Sequence, residues 1–164
     1  MKEEILEAYA KGQRDFQNLN FSGVDLRWAN LSGATFDNCC LENADLQRAN
    51  LQNSSFRAAN LKKANLGWAN FSNADLGGAN LYGAKLEECN LSESTLIGAN
   101  LSWALLFKAN LENTDLTGAN LYGAYLGWAN LDKVKLVGTN LDKAFINEAN
   151  VLWGKQQNFF SLLG

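Results

Sequence analysis

Large apolar residues recur at every fifth position over most of the chain. From Phe16, Phe21 and Leu26 the series continues without a break to Val151, which makes 28 consecutive units centred on Leu, Phe, Ile or Val. Small residues, mostly Ala, dominate the position two residues before each centre, from Ala29 onward. The repeating unit is therefore Ala-Asn/Asp-Leu-x-x.

This period excludes an amphipathic helix and favours a coil of short extended segments. In a helix, five residues advance about 140° beyond a full turn, so the centres would scatter around the axis. A spacing of two instead places the small residue and the centre on the same inward side of an extended segment. The other three residues then turn a corner, and repeated corners wind the chain into a solenoid.

A longer period of 20 residues predicts the number of sides. Asn precedes the centre in two series with this period, Asn30 to Asn150 and Asn60 to Asn140, and the aromatic residues Phe16, Phe36 and Phe56 share another column. A three-sided coil would mix these series, whereas a four-sided coil keeps each column pure. We number the sides by their centres: side 1 from Phe16 to Leu136, side 2 from Phe21 to Leu141, side 3 from Leu26 to Ile146, and side 4 from Leu31 to Val151. The 28 units predict seven coils, roughly 34 Å tall at a strand spacing of about 4.8 Å.

The repeat resembles the pentapeptide-repeat family, as in Ala-Asn-Leu-Lys-Lys at 59–63 and Ala-Asp-Leu-Gly-Gly at 74–78. The resemblance implies an all-β fold, a right-handed quadrilateral parallel β-helix over residues 14–153. The segment Tyr-Ala-Lys-Gly-Gln-Arg-Asp-Phe at 9–16 resembles the leader of many cyanobacterial members, which implies a cyanobacterial source. Some of those relatives influence cell differentiation through protein contacts.

The two ends of the coil need caps, because each coil is stabilised by its neighbours. Residues 1–13 are predicted to form an amino-terminal capping helix, since Ile5, Leu6 and Tyr9 share one face. Residues 154–164 depart from the period and are apolar. They are predicted to form the carboxyl-terminal cap, with a dimer contact as the alternative.

Residues that could carry catalysis or bind a metal are scarce. The chain has no His, the commonest general base. The spacing of Cys39, Cys40 and Cys89 fits neither a disulfide framework nor a zinc site. The Asp and Asn residues before the centres are interpreted as backbone partners and side-chain ladders, and the glycines as corner residues. We therefore expect no enzyme activity, no cofactor and no metal.

Charge and hydropathy narrow the class of partner. The net charge of −3 comes from 14 basic and 17 acidic residues without a basic run, so no nucleic-acid partner is expected. No segment has the roughly 20 apolar residues that span a bilayer, so a cytoplasmic protein with no membrane partner is expected. The expected function is that of a non-enzymatic scaffold whose rod-like surface binds another protein. Some family members are acidic DNA mimics that bind gyrase, so gyrase inhibition is the alternative function. However, no side of this coil has a net charge beyond −2.

Apolar side chains at outward positions near the carboxyl end of side 3 are the candidate binding site. We call this group the aromatic patch, and its members are Trp103, Leu105, Phe107, Tyr125, Trp128 and Phe145. Contiguous exposed apolar surface usually marks an interface. The patch predicts a contact with another protein or a homodimer, which could also form through the carboxyl-terminal end. In the alternative interpretation these rings pack flat on the side or under the carboxyl-terminal segment.

Overall fold

The computed structural model describes residues 2–149, and in it the chain winds into a parallel coil that repeats every 20 residues. One helix, α1, spans Lys2–Ala10. From Asp15 onward every fifth residue forms a parallel β-bridge to the residue 20 positions later, as in Asp15 to Thr35. Within residues 15–145 these bridges form four ladders, which confirms four sides and the period of 20. The described ladders run from Asp15 to Lys135 on side 1, from Asn20 to Asn140 on side 2, from Asp25 to Phe145 on side 3 and from Asn30 to Asn130 on side 4.

The structure differs from the expectation of short strands, because among the described residues each side contributes an isolated bridge. The reason is the length of the unit: two of its five residues form the corner turn, so one residue per side carries the ladder. That residue still pairs in both directions. Thr35 donates its N–H to the carbonyl of Arg14 in the coil below at 2.7 Å. It is also bridged to Ser55 in the coil above, whose carbonyl accepts from the N–H of Phe36 at 2.7 Å.

Each corner is a turn closed by a hydrogen bond from the small inward residue to the preceding centre, as from Val24 to Phe21 at 3.0 Å. The third residue of the turn has a positive φ at every corner from Asn18 to Glu148. Gly adopts this conformation without steric cost and Asn tolerates it. The requirement explains why Gly and Asn are frequent at that position, although Trp, Lys and Glu also occupy it.

The interior is filled by the centres and the small residues between them. Leu26, Leu66 and Leu106 are completely buried. Near the amino end, the rings of Phe16 and Phe36 stack at 5.3 Å between centroids, and a third ring continues the column. Each buried large side chain contributes on the order of 2 kcal/mol before entropy is subtracted.

Asn side chains form hydrogen-bonded ladders along much of sides 2 and 4, as the sequence predicts, and Cys40 interrupts the column of side 2. Asn90 donates its amide to Asn70 at 3.2 Å and accepts from Asn110 at 3.3 Å. The same Oδ1 of Asn90 accepts the backbone N–H of Ser92 at 3.1 Å, inside the corner turn. One side chain therefore joins three coils and also stabilises the local turn.

Helix α1 covers the amino-terminal end of the coil, as predicted. Ile5 is buried against the core, and Leu6 and Tyr9 pack on it more loosely. Tyr9 also donates its hydroxyl to the carbonyl of Ser32 at 2.8 Å. The predicted cap at 154–164 and the unit centred on Val151 lie outside the described residues, so the count of seven coils and the domain limits stay predictions.

Candidate protein-binding surface

The aromatic patch occupies three successive coils of side 3. Leu105, Tyr125 and Phe145 lie one above another in a single column, joined by the parallel bridges Leu105–Tyr125 and Tyr125–Phe145. Earlier coils place Asp25, Asp45, Asn65 and Lys85 in this same column. The column therefore changes from polar to apolar halfway along the rod.

Four of the six predicted residues lie in direct succession. The ring of Phe107 stacks on that of Tyr125 with centroids 6.2 Å apart, and Tyr125 meets Phe145 at 6.0 Å. Leu105 lies directly below Tyr125 in the column. These side chains form one continuous apolar strip, and Tyr125 is its centre.

The two tryptophans flank this strip at the corners of side 3. Trp103 precedes Leu105 at the corner shared with side 2, and Trp128 follows Tyr125 at the corner shared with side 4. Both have positive φ, at 61°. Trp103 packs edge to face against Tyr122 with centroids 5.6 Å apart. Tyr122 is not among the residues predicted from the sequence, although the period of 20 places it one coil above Ser102, the neighbour of Trp103.

Glycines lie beneath two of the rings. A Cβ on Gly123 would meet ring atoms of Trp103 at 2.8 Å, and a Cβ on Gly127 would meet the Tyr125 ring at 3.2 Å. The rings therefore lie against the backbone, as the alternative interpretation expected. They still remain open to solvent: Tyr125 is 43% exposed, Phe145 53% and Trp128 57%. The result is a flat apolar surface rather than a buried cluster.

Charged side chains surround the patch. Lys108 Nζ lies 5.3 Å from the ring centroid of Phe107, and Lys143 Nζ lies 5.4 Å from that of Tyr122. The hydrogen bond between Lys143 and Tyr122 raises the pKa of this lysine. Glu148 is exposed at the same corner column as Lys108, two coils later. The rim thus carries both signs of charge around an uncharged centre.

The aromatic column lacks a hydrogen bond that Asp and Asn provide at most of the positions they occupy before a centre. In the polar columns such an Asp or Asn accepts the backbone N–H two residues later: Asp25 does so from Arg27 at 3.0 Å and Asp45 from Gln47 at 3.1 Å. Leu105 and Phe145 have no acceptor atom, and the Tyr125 hydroxyl lies at the far end of its ring. Three successive turns therefore forgo a hydrogen bond worth about 1 kcal/mol each.

The amino-terminal half of side 3 has a different character. Arg27 makes a two-point ion pair with Asp25, with Nη2 to Oδ2 at 2.7 Å, and the hydrogen bonds of this pair hold the pKa of Asp25 below its usual range. At the adjoining corner, Arg48 lies between Trp28 and Trp68, with centroid distances of 4.7 and 5.1 Å. These two rings share one cation between them and remain exposed, Trp28 at 69% and Trp68 at 48%.

The cysteines, the remaining candidates for chemistry, are mostly explained by packing. Cys39 and Cys89 are buried, and burial raises the pKa of both thiols. Hydrogen bonds from Ser22 and from the backbone lower the pKa of Cys40. No group of His, Cys, Asp and Glu within residues 2–149 is arranged to hold a metal ion. In the same part of the chain, no helix has the length and apolarity needed to cross a bilayer.

The geometry agrees with a comparison to known families. The family model for pentapeptide repeats matches overlapping segments that cover residues 15–147, namely 15–48, 39–78, 49–87, 74–113, 84–121 and 109–147. The chain belongs to the pentapeptide-repeat family. Members of this family are generally non-enzymatic structural or interaction proteins. Membership also implies that the four-sided coil is a right-handed quadrilateral β-helix.

One solved structure supports the same fold. The chain is similar to Rfr23 from the cyanobacterium Cyanothece 51142, at 22% identity and a TM-score of 0.54, covering 91% of this chain and 95% of that one. It is also similar to HetL, involved in heterocyst differentiation regulation in Nostoc sp. strain PCC 7120, at 28% identity, a TM-score of 0.45 and coverage of 90% and 93%. The plasmid-mediated fluoroquinolone resistance protein QnrB1 matches at 17% identity, a TM-score of 0.48 and coverage of 91% and 86%. No curated protein matches the chain.

Proposed function

We propose that this pentapeptide-repeat chain is a non-catalytic interaction protein that presents the aromatic patch to another protein. Its rod acts as a rigid support, because the backbone of each coil is hydrogen-bonded to the next and the interior is tightly filled. The cytoplasmic location and the cyanobacterial source expected from the sequence belong to this proposal.

One observation carries the proposal: the aromatic column departs from the local rule of the fold. In three successive coils, side chains that would stabilise the corner turn are replaced by Leu105, Tyr125 and Phe145, which remain 38%, 43% and 53% exposed. Natural sequences depart from local consistency mainly at functional sites. Aromatic residues are also favoured anchors of protein interfaces.

The mixed rim fits a protein partner better than a nucleic acid. Phosphate backbones require a dense cationic surface. Here Lys108 and Lys143 alternate with Glu87 and Glu148 around the apolar strip. A polar rim of both signs around an apolar centre is the usual anatomy of a protein–protein interface.

We favour this role over gyrase inhibition by DNA mimicry. A DNA mimic needs closely spaced, unneutralised negative charges. In this rod several carboxylates are paired with cations, including Asp75 with Arg57 at 2.9 Å and Asp115 with Lys135 at 3.2 Å. We therefore expect no inhibition in a gyrase supercoiling assay, and strong inhibition would favour the alternative.

The test compares capture of host proteins by the wild type with capture by a Tyr125→Asp/Phe145→Asp variant. Charges at the centre of the strip would have to be desolvated on binding, so capture should fall at least tenfold. Val137→Asp is the control, since Val137 is an apolar residue on side 1, opposite the patch, and is even more exposed than Tyr125 and Phe145. Circular dichroism checks that all variants keep the fold. Equal capture by the wild type and the patch variant would refute the proposal.

A further inference from the structure

We infer that the aromatic patch binds a second copy of this chain, with the two rods side by side and antiparallel. This inference rests on the proposed role of the patch and names its partner. It follows from the order of residues in three columns of side 3 across three coils. We call these the lower coil, which contains Leu105, the middle coil, which contains Tyr125, and the upper coil, which contains Phe145.

The geometry of an antiparallel pair is simple. When two identical flat sides face each other through a two-fold axis perpendicular to the columns, each column faces itself with its direction reversed. If the axis passes at the middle coil, the lower coil of one copy faces the upper coil of the other. Every residue of the lower coil then meets the residue 40 positions later in the second copy.

This operation brings complementary residues together in each column. In the central column, Leu105 faces Phe145 of the second copy, and Tyr125 faces Tyr125. At the corner shared with side 4, Lys108 faces Glu148 and Trp128 faces Trp128. At the corner shared with side 2, the ring of Trp103 faces the ammonium group of Lys143. Phe107, by the same operation, faces Asn147. The central apolar residues thus meet each other, Lys108 meets an anion and Lys143 meets an aromatic ring.

The middle coil is suited to lie on the symmetry axis. Gly123 and Gly127 occupy its two positions beside Tyr125 and allow the neighbouring rings to lie flat. Both Lys108 and Glu148 are exposed, and neither makes an ion pair within the described residues. They are two coils apart in one chain, about 10 Å, so they are available to a second copy rather than to each other.

A parallel pair of rods is disfavoured by the same columns. With the two-fold axis along the rod, each residue of the central column would face its own copy. Lys85 would then oppose Lys85, and Asp25 and Asp45 would each oppose themselves, over the full length of the rods. Like charges directly opposite each other are destabilising. In the antiparallel pair these residues lie outside the overlap of the three coils.

The size of the contact sets the expected strength. Three coils span about 14 Å along the rod, so the pair buries several hundred Å² in total, below the roughly 1,200 Å² typical of stable complexes. The dimer is therefore a weak one that forms at high chain concentration. Sedimentation velocity over a wide range of concentrations is the suitable measurement.

A charge exchange tests both the partner and its orientation. Lys108→Glu places two carboxylates opposite each other, and Glu148→Lys places two ammonium groups there, so each should weaken dimerisation by about tenfold. The double variant Lys108→Glu/Glu148→Lys restores the opposite pair and should return the dissociation constant to within about threefold of the wild-type value. Lys133→Glu, at an exposed position on side 4, is the control that should leave dimerisation unchanged.

The outcomes separate this inference from the proposed function. Loss in both single variants with rescue in the double variant supports the antiparallel dimer. A wild-type chain that stays monomeric at the highest concentration overturns it, and so does a double variant that is no better than the single ones. If the chain is monomeric while host-protein capture still depends on Tyr125 and Phe145, the proposed function stands and this inference falls. If neither dimerisation nor capture depends on the patch, both fall.

Discussion

The contact between Gly123 and Trp103 gives a sharp prediction for the stability of the patch. In Gly123→Ala, the new Cβ would lie 2.8 Å from two ring atoms of Trp103, closer than real Cβ contacts occur. The φ of Gly123 is +65°, so the alanine would also occupy the left-handed region. The substitution therefore combines a backbone cost with the displacement of an aromatic ring.

Gly118→Ala isolates the backbone part of this cost. Gly118 has the same position in its unit and a φ of +68°, but a Cβ there would meet nothing within 4 Å. The left-handed conformation costs a non-glycine residue about 1–2 kcal/mol, and the lower entropy of the unfolded alanine variant offsets part of this. We expect Gly118→Ala to lower the free energy of unfolding by about 1 kcal/mol.

The additional cost at Gly123 can be worked out from the exposure of Trp103. This side chain is 48% exposed, so it removes roughly 100 Å² from water, worth at most about 2.5 kcal/mol at 25 cal/mol/Å². Because the new Cβ lifts part of the ring, Gly123→Ala should lose about 1–2 kcal/mol more than Gly118→Ala. Urea unfolding followed by circular dichroism measures both values, provided that the slopes agree.

The chain has five Trp, so the emission of Trp103 is taken as the difference between each variant and the same variant with Trp103→Phe. This difference provides an independent readout, because a lifted ring is more exposed and its emission moves to longer wavelength. If Gly118→Ala and Gly123→Ala destabilise the rod equally, with unchanged fluorescence, the ring does not pack on Gly123. The argument for a flat patch would then lose its support.

Two further predictions concern the hydrogen bonds of the rod. Asn90→Ala removes one backbone and two side-chain hydrogen bonds and should lower the free energy of unfolding by about 2 kcal/mol, whereas Asn90→Asp keeps the acceptor and should lose less; equal losses would contradict the ladder. Burial raises the pKa of Asp115, but hydrogen bonds from Thr117 and Lys135 outweigh it and hold the pKa below its ordinary value of 3.8. Since the folded pKa is depressed, this stabilisation is complete above that ordinary value and is lost as the pH falls through the folded pKa. The stability difference between the wild type and Asp115→Asn should therefore be constant near neutral pH and shrink in acid, and a difference that grows in acid would refute the assignment.

The architecture could be predicted from the sequence because the period is redundant. Each column of the coil is set by several residues, such as Phe16, Phe36 and Phe56 in the core or the Asn series on side 4. A two-residue spacing determines which side chains point inward, and the 20-residue spacing determines which ones stack. The buried centres and the Asn ladders follow from these two numbers, whereas the amino-terminal helix follows from the face that Ile5, Leu6 and Tyr9 share.

One prediction from the sequence was wrong and some side-chain contacts were not predicted, in each case for a physical reason. The expected strands are isolated bridges, because the corner turn consumes so much of each unit. The period places Trp103 at a corner, but it does not give the direction of the ring, which depends on the missing Cβ of Gly123 and on Tyr122. Likewise, Arg48 lies between Trp28 and Trp68 because its long side chain can reach both rings.

The regularity of the rod also explains why its departures carry information about function. Along a polar column most Asp and Asn residues repeat the same hydrogen bond to the turn, so a substitution such as Tyr125 for Asn has no local advantage there. A single exception could be neutral drift, but Leu105, Tyr125 and Phe145 depart in succession, and the corners beside them carry Trp103 and Trp128. Their apolar surface gains free energy when another surface covers it. The reversed order of Lys108 and Glu148 around the same centre means that a second copy can supply that surface and pair these two charges.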